Sequence, residues 1–222
     1  NTENLSMADF RRKQVDLFIE QLSNELRAFN LEHNRTVQLG ISPSGIYRNG
    51  GAYDRNDATY NENGDLTYPL NSNTSGFAHY GDYLYSDTKK WIDEEWIDYI
   101  LPQSYWAMGH NGANFNRLTD WWSLVVEHKD VNLYMGIGIY MVLGTGSSAN
   151  YWKSPNEIKN QLMDMNQYEN ISGMSFYKYA SLISSNSLIQ GHVKTLKEHW
   201  TKKIPCAVIP SYTYLDEPLV SN

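Results

Sequence analysis

Apolar residues at Val15, Phe18, Ile19, Leu22, Leu26 and Phe29 recur at three- and four-residue intervals, which predicts an opening helix with one apolar face and Asp9 placed to cap it. After a polar turn, the run TVQLGIS, Thr36 to Ser42, is short, apolar and flanked by turn residues, as a buried strand would be. From Pro43 to about Tyr83 the pattern dissolves into Gly, Asn, Asp, Ser and Tyr, a loop composition. A structureless loop of that length is uncommon inside a compact domain unless it is functional.

Order then returns as an alternation. A helix opening at Ser86 or Asp87 and carrying Trp91, Ile92 and Trp96 runs into a strand from Ile97 to Gln103. A helix from about Asn114 to Lys129, with Phe115, Leu118, Trp122 and Val125 inward, precedes the strand Asn132 to Tyr140. In SPNEIKNQLMDM, Ser154 as N-cap, Pro155 in the first helical position and Glu157 completing a capping box predict a third helix, buried through Ile158, Leu162 and Met165. The strand Ile171 to Tyr177 follows, then a helix from about Asn186 to Trp200 that buries Leu188, Ile189, Leu196 and Trp200.

Buried strands alternating with helices imply a parallel sheet covered on both faces. A doubly wound nucleotide-binding sheet fits poorly, because GIGIYMVLGTGSSAN keeps its first glycines inside the strand and offers no prompt helix after GTG. A (β/α)8 TIM barrel needs roughly 250 residues and eight strands. Four strands and a leading helix are legible here, so the expected fold is α/β: the C-terminal half of such a barrel over residues 1–202. Residues 203–222, with their prolines, read as an extended tail or linker towards a further domain. Exposed edges of a half barrel could also pair with a second copy.

Charge and composition narrow the chemistry. With 18 Lys+Arg against 25 Asp+Glu the formal charge is -7, and no basic stripe is present to neutralise a phosphate backbone, so nucleic acid is not an expected partner. The run NLYMGIGIYMVLG is too short and Gly-rich to span a bilayer. The lone Cys206 excludes an internal disulfide or a Cys-based metal cluster. The six histidines, His33, His79, His110, His128, His192 and His199, lack metal-ligand spacing, so most read as surface residues, and only His79 and His110 fall on loops at the functional end; no metal or other cofactor is expected. GISPSG does not meet the spacing of a nucleophile elbow. The 17 Tyr and 7 Trp stand out, since such rings serve either as core or as platforms for sugars.

In a barrel the site is built at the C-terminal strand ends. Those ends read SPSGIYRN, PQSYW, GIY and FYK: hydroxyls, amides, aromatics and two cations, suited to gripping a neutral or weakly charged polyol. Gly136 and Gly138 leave room beside Tyr140 for a ligand or for a bulky neighbour. In LPQSYW, Pro102 ends strand pairing, Gln103 can bond hydroxyl or acetamido groups, and Tyr105 and Trp106 offer rings. Side-chain alternation means that only one of the two rings points along the barrel axis unless the strand twists. Glycoside hydrolysis wants paired carboxylates, and none of the four ends supplies one. Asp98 starts a strand, Asp93, Glu94 and Glu95 read as solvated helix charges, and only the loop acids Asp54, Asp57, Glu62 and Asp65 are expected at the correct end.

The succession DFRR, QLGISPSGIYRN, LYSDTKKWIDEEWIDYILPQSYW, DWW and LYMGIGIY resembles the bacterial glycosyl hydrolase-like 10 family from about Asp9 to Trp200. The resemblance implies a (β/α)8 barrel, export to the cell envelope or outside the cell, and hydrolysis of β-linked amino-sugar polymers such as peptidoglycan glycan strands stripped of their peptides. It places the family's acidic Asp-Asp-Tyr-type motif ahead of the first helix, leaves the catalytic residues of this chain unassigned, and implies that the chain alone is inactive. Ser42, Arg48, Gln103, Tyr105 and Trp106 match the family pattern and would bind the sugar, with Tyr140 and Lys178 added by position. The alternative is a carbohydrate-binding module without catalysis.

Overall fold

The computed structural model describes residues 4–81, 83–145 and 149–200. The tail from residue 203, and Cys206 within it, lie outside these.

Helix α1 (Met7–His33) is capped by Ser6, whose hydroxyl accepts the Asp9 amide at 3.1 Å, rather than by Asp9 itself. A serine oxygen serves because it reaches the third amide of a helix whose first N–H groups have no partner. Asp16, Ile19 and Ser23 are its buried face. Asp16 accepts from the Trp91 indole at 2.8 Å and pairs with Lys90 at 3.3 Å, so α1 lies on α2 (Thr88–Asp93). Phe18, Leu22 and Phe29, expected inward, are exposed. Of the predicted apolar stripe, Ile19 is buried and Val15 packs on the core, while the covered row otherwise runs beside it through Asp16 and Ser23.

Strands β1 (Gly40–Ile41), β4 (Tyr99–Ile100), β5 (Asn132–Ile137) and β6 (Ile171–Phe176) form one parallel sheet in that order. Pairing runs on past the nominal strands: Leu101 N donates to Ile41 O, Gln103 N to Pro43 O and Gly136 N to Pro102 O, at 2.8, 2.9 and 2.9 Å. Among the described residues strand order follows chain order without reversal, with no topological switch point of the doubly wound kind. The sheet with its helical crossovers is part of a TIM-barrel-like fold. Its lower end is fastened by Asp98, whose carboxylate accepts the Leu39 amide at 2.6 Å.

The core lies between this sheet and its helices. Ile100, Leu133, Met135 and Ile137 are buried beneath Phe115, Leu118, Trp121 and Trp122 of α3 (Phe115–Val125). On the other face Tyr99, Leu101 and Tyr134 are only half-buried, with the Tyr99 and Tyr134 rings edge to face at 5.9 Å. The two-sided burial expected of these strands therefore holds on the helical side alone.

Helix α5 (Glu157–Met165) follows the short α4 (Ala149–Trp152) and starts later than the capping-box reading, with Asn156 at its N-cap. Ser154 instead accepts the Asn156 amide, and Glu157 turns inward to accept the Met108 amide at 2.8 Å. Between β6 and the last helix lies α6 (Tyr179–Leu182). Helix α7 (Ser187–His199) buries Ile189, His192 and Leu196, whereas Leu188 and Trp200 are exposed.

The Gly-, Asn- and Tyr-rich segment after β1 is ordered. It contains the antiparallel pair β2 (Thr59–Tyr60) and β3 (Leu66–Tyr68) and lies along α3. Its polar groups find partners there. Tyr53 donates to Asp120 at 2.7 Å, Arg55 reaches Asp120 and Ser123 at 2.9 and 2.8 Å, and the Trp121 indole donates to Pro69 O at 3.0 Å. At the turn of the hairpin the buried Lys129 ammonium holds Asp65, Asn63 O and Asp93 O.

Candidate functional site

Three strand termini meet at the C-terminal end of the sheet. Tyr105, Tyr140 and Tyr177 form a corner with ring centroids 5.8 to 5.9 Å apart; Tyr105 and Tyr177 are stacked, and Tyr140 stands edge-on to both. The approach of Tyr105 depends on Gly138, where a Cβ would lie 2.9 Å from the Tyr105 Cγ. A Cβ on Gly136 would meet Pro102 O at 2.9 Å. Both glycines thus make room for the neighbouring strand segment and its ring. Tyr140 sits just past β5, on the single turn Ile139–Leu143.

Burial, with the neighbouring Tyr140 and Tyr177, pushes the Tyr105 phenol up to about 12. At neutral pH it is a donor and an apolar platform, and it carries no charge. Trp106 goes the other way: it packs on the core and accepts a bond from Gln161 at its carbonyl. The two adjacent rings therefore divide between the open end and the interior, as side-chain alternation requires.

Ser42 and Gln103 lie beside each other, tying β1 to β4. The Ser42 hydroxyl donates to Leu101 O and the Gln103 Nε2 to Ser42 O, both at 2.9 Å. Ser42 Oγ and Gln103 Oε1 keep acceptor capacity. Lys178 is exposed, one residue beyond Tyr177. Arg48 does not join this corner; its guanidinium lies 4.6 Å from the ring of Tyr80.

The loop acids are not where the sequence placed them. Asp65 belongs to the Lys129 cluster near the start of β5, at the opposite end of the sheet. Burial would raise its carboxyl, but Lys129 and Asn61 outweigh that and hold it below the ordinary value. Asp54 caps the turn Arg55–Asp57 along α3, and Asp57 and Glu62 are exposed on the same segment. Asp93 is likewise no solvated charge, since Lys89 holds it at 2.6 Å.

His79 is fully buried between Ser44 Oγ and Thr88 Oγ1, at 3.2 and 2.8 Å, and burial lowers it to about 4. It fastens the first loop. His110 accepts the Ala113 amide at 3.0 Å within its own turn, and His192 is buried against Trp152 O rather than at the surface as expected. Among the described residues no cluster of three or more His, Cys, Asp or Glu is placed to hold a metal ion. Tyr177 is the residue the sequence under-weighted. Its signal was the strand end FYK, in which the ring beside the lysine completes the corner.

The family model for "Glycosyl hydrolase-like 10" matches residues 1–154. The chain belongs to the glycosyl hydrolase-like 10 family. Among its relatives, the glycosyl hydrolase YngK of Bacillus subtilis (strain 168) is 31% identical over 208 residues, covering 94% of this chain and 36% of YngK. The glycosyl hydrolase DigH of Escherichia coli (strain K12) is 34% identical over 137 residues, 62% of this chain and 27% of DigH. The chain thus spans about a third of the length of these relatives. The glycosyl hydrolase-like 10 family is one of glycosidase-like barrels, in keeping with the parallel sheet. No helix among the described residues is long and apolar enough to cross a membrane.

Proposed function

We propose that this chain forms the sugar-gripping part of a glycoside hydrolase acting on β-linked amino-sugar polymers, such as peptide-free peptidoglycan glycan strands, in the cell envelope or outside the cell. The observation that carries this reading is the Tyr105, Tyr140 and Tyr177 corner at the C-terminal sheet end, flanked by the amide of Gln103 and the hydroxyl of Ser42. Aromatic faces receive the C–H face of a pyranose, while amides and hydroxyls meet its hydroxyl and acetamido groups. Among the described residues no strand of the sheet ends in a carboxylate, so this end is read as binding sugar rather than as moving the protons of hydrolysis. The same lack favours a second reading, a carbohydrate-binding module without catalysis.

Incubation with purified peptide-free glycan strands tests the proposal, with retention and released fragments followed by mass spectrometry. Retention without fragments is expected. Tyr105→Ala and Tyr177→Ala should each weaken retention about two- to tenfold, the worth of one aromatic contact. Unchanged retention in both variants, or cleavage by this chain alone, would contradict it. The two readings separate in a full-length parent, where strand cleavage lost with Tyr105→Ala supports the hydrolase.

A further inference from the structure

The segment Ile46 to Gly50 is held in place along its whole length. His79 N donates to Ile46 O and Tyr80 N to Tyr47 O, both at 3.1 Å; Ser72 N and Oγ both reach Arg48 O at 3.2 Å, and Asn49 Nδ2 reaches Gly76 O at 2.7 Å. Tyr47 is buried, stacked on Trp121, and donates to Asp87 at 2.6 Å. Arg48 alone in this stretch projects a charge from the fixed backbone. Its guanidinium lies on the Tyr80 ring, which also carries Arg12 at 4.2 Å.

The anions nearby are already engaged. Asp9 pairs with Arg12 and accepts from Ser6, and Asp87 accepts from Tyr47 and from the Lys90 amide. Arg12 also donates to Tyr80 O at 3.0 Å. No side-chain acceptor among the described residues takes the N–H groups of Arg48. A planar fork that is stacked on a ring and mounted on a pinned backbone loses little further freedom when it binds a carboxylate in two-point fashion.

From this geometry we infer that Arg48, supported by Tyr80, recognises a carboxylate-bearing substituent on the glycan and makes the site selective for acidic over neutral amino-sugar strands. The inference rests on the reading that glycan binds at this end of the sheet. It gives the Arg-Asn pair of SPSGIYRN two separate tasks: Asn49 closes the loop and Arg48 reads the ligand.

Peptide-free strands with free lactyl carboxylates and the same strands as methyl esters supply the test, by calorimetric titration against the whole chain at low salt. The acid form should bind about three- to tenfold more tightly than the ester, the worth of a charge-assisted pair at a partly exposed site. Arg48→Gln should bind acid and ester forms with equal affinity, and Arg48→Lys should keep only part of the preference. Equal wild-type affinity for acid and ester, or a preference that survives in Arg48→Gln, overturns the role of Arg48 and leaves the tyrosine corner standing. Failure of wild type to bind either form removes the sugar reading and this inference together.

Discussion

His79 shows at the scale of one residue how the first loop is secured and what that costs. Its ring bridges Ser44 and Thr88 in its neutral form, and burial holds its pKa at about 4 against an ordinary 6.5. Between those values the unfolded chain binds a proton that the folded chain refuses, so stability falls as pH drops from 6.5 towards 4. The full shift corresponds to about 3 kcal/mol. Denaturant titrations of wild type and His79→Gln should show wild type more stable at pH 7 and the gap shrinking by pH 4. A gap independent of pH would mean that His79 is not held neutral. Its loop position set it apart with His110, but the sequence does not show its burial, which comes from Ile46, Tyr47 and Trp122 closing around it over long sequence separations. Tyr105 and Trp106 were more legible, since alternation alone separates their directions.

At the scale of elements, periodicity revealed the helices and strands because each buries a face against a neighbour present in the chain. At α1 it was right only in part: Ile19 is buried and Val15 packs on the core, but the covered row turns through Asp16 and Ser23 and leaves Phe18 exposed. The segment after β1 escaped for a different reason. Its order comes from side-chain bonds to α3, such as Arg55 to Asp120, and polar pairing of this kind leaves no hydrophobic period to read. Lys129 is its deepest anchor, its side chain 4% exposed beside Asp65. Lys129→Met should lower stability by about 2–3 kcal/mol through the lost pair and the unmet carbonyls. Glycan retention by the folded variant should not change, because the hairpin is at the opposite end of the sheet from Tyr105. Loss of retention at full folding would instead return the loop acids to the site.

For the whole molecule, four parallel strands in chain order with helices on one side make part of a barrel, its other face half-open among the described residues. In the proposed reading, function sits at one end, where strand termini bring together the tyrosines and the Gln103 amide and the first loop sets the Arg48 guanidinium on Tyr80, while the carboxylates of that loop stabilise the flank and base. The most direct test of that division is hydrogen exchange of the whole chain with and without saturating peptide-free glycan strands, read by mass spectrometry. New protection at residues 42–48, 103–106 and 138–141 and around Tyr177, with none at the β2 and β3 hairpin, is the predicted result. Protection centred on the hairpin or on the exposed stripe of α1, with the tyrosine corner unchanged, would contradict it.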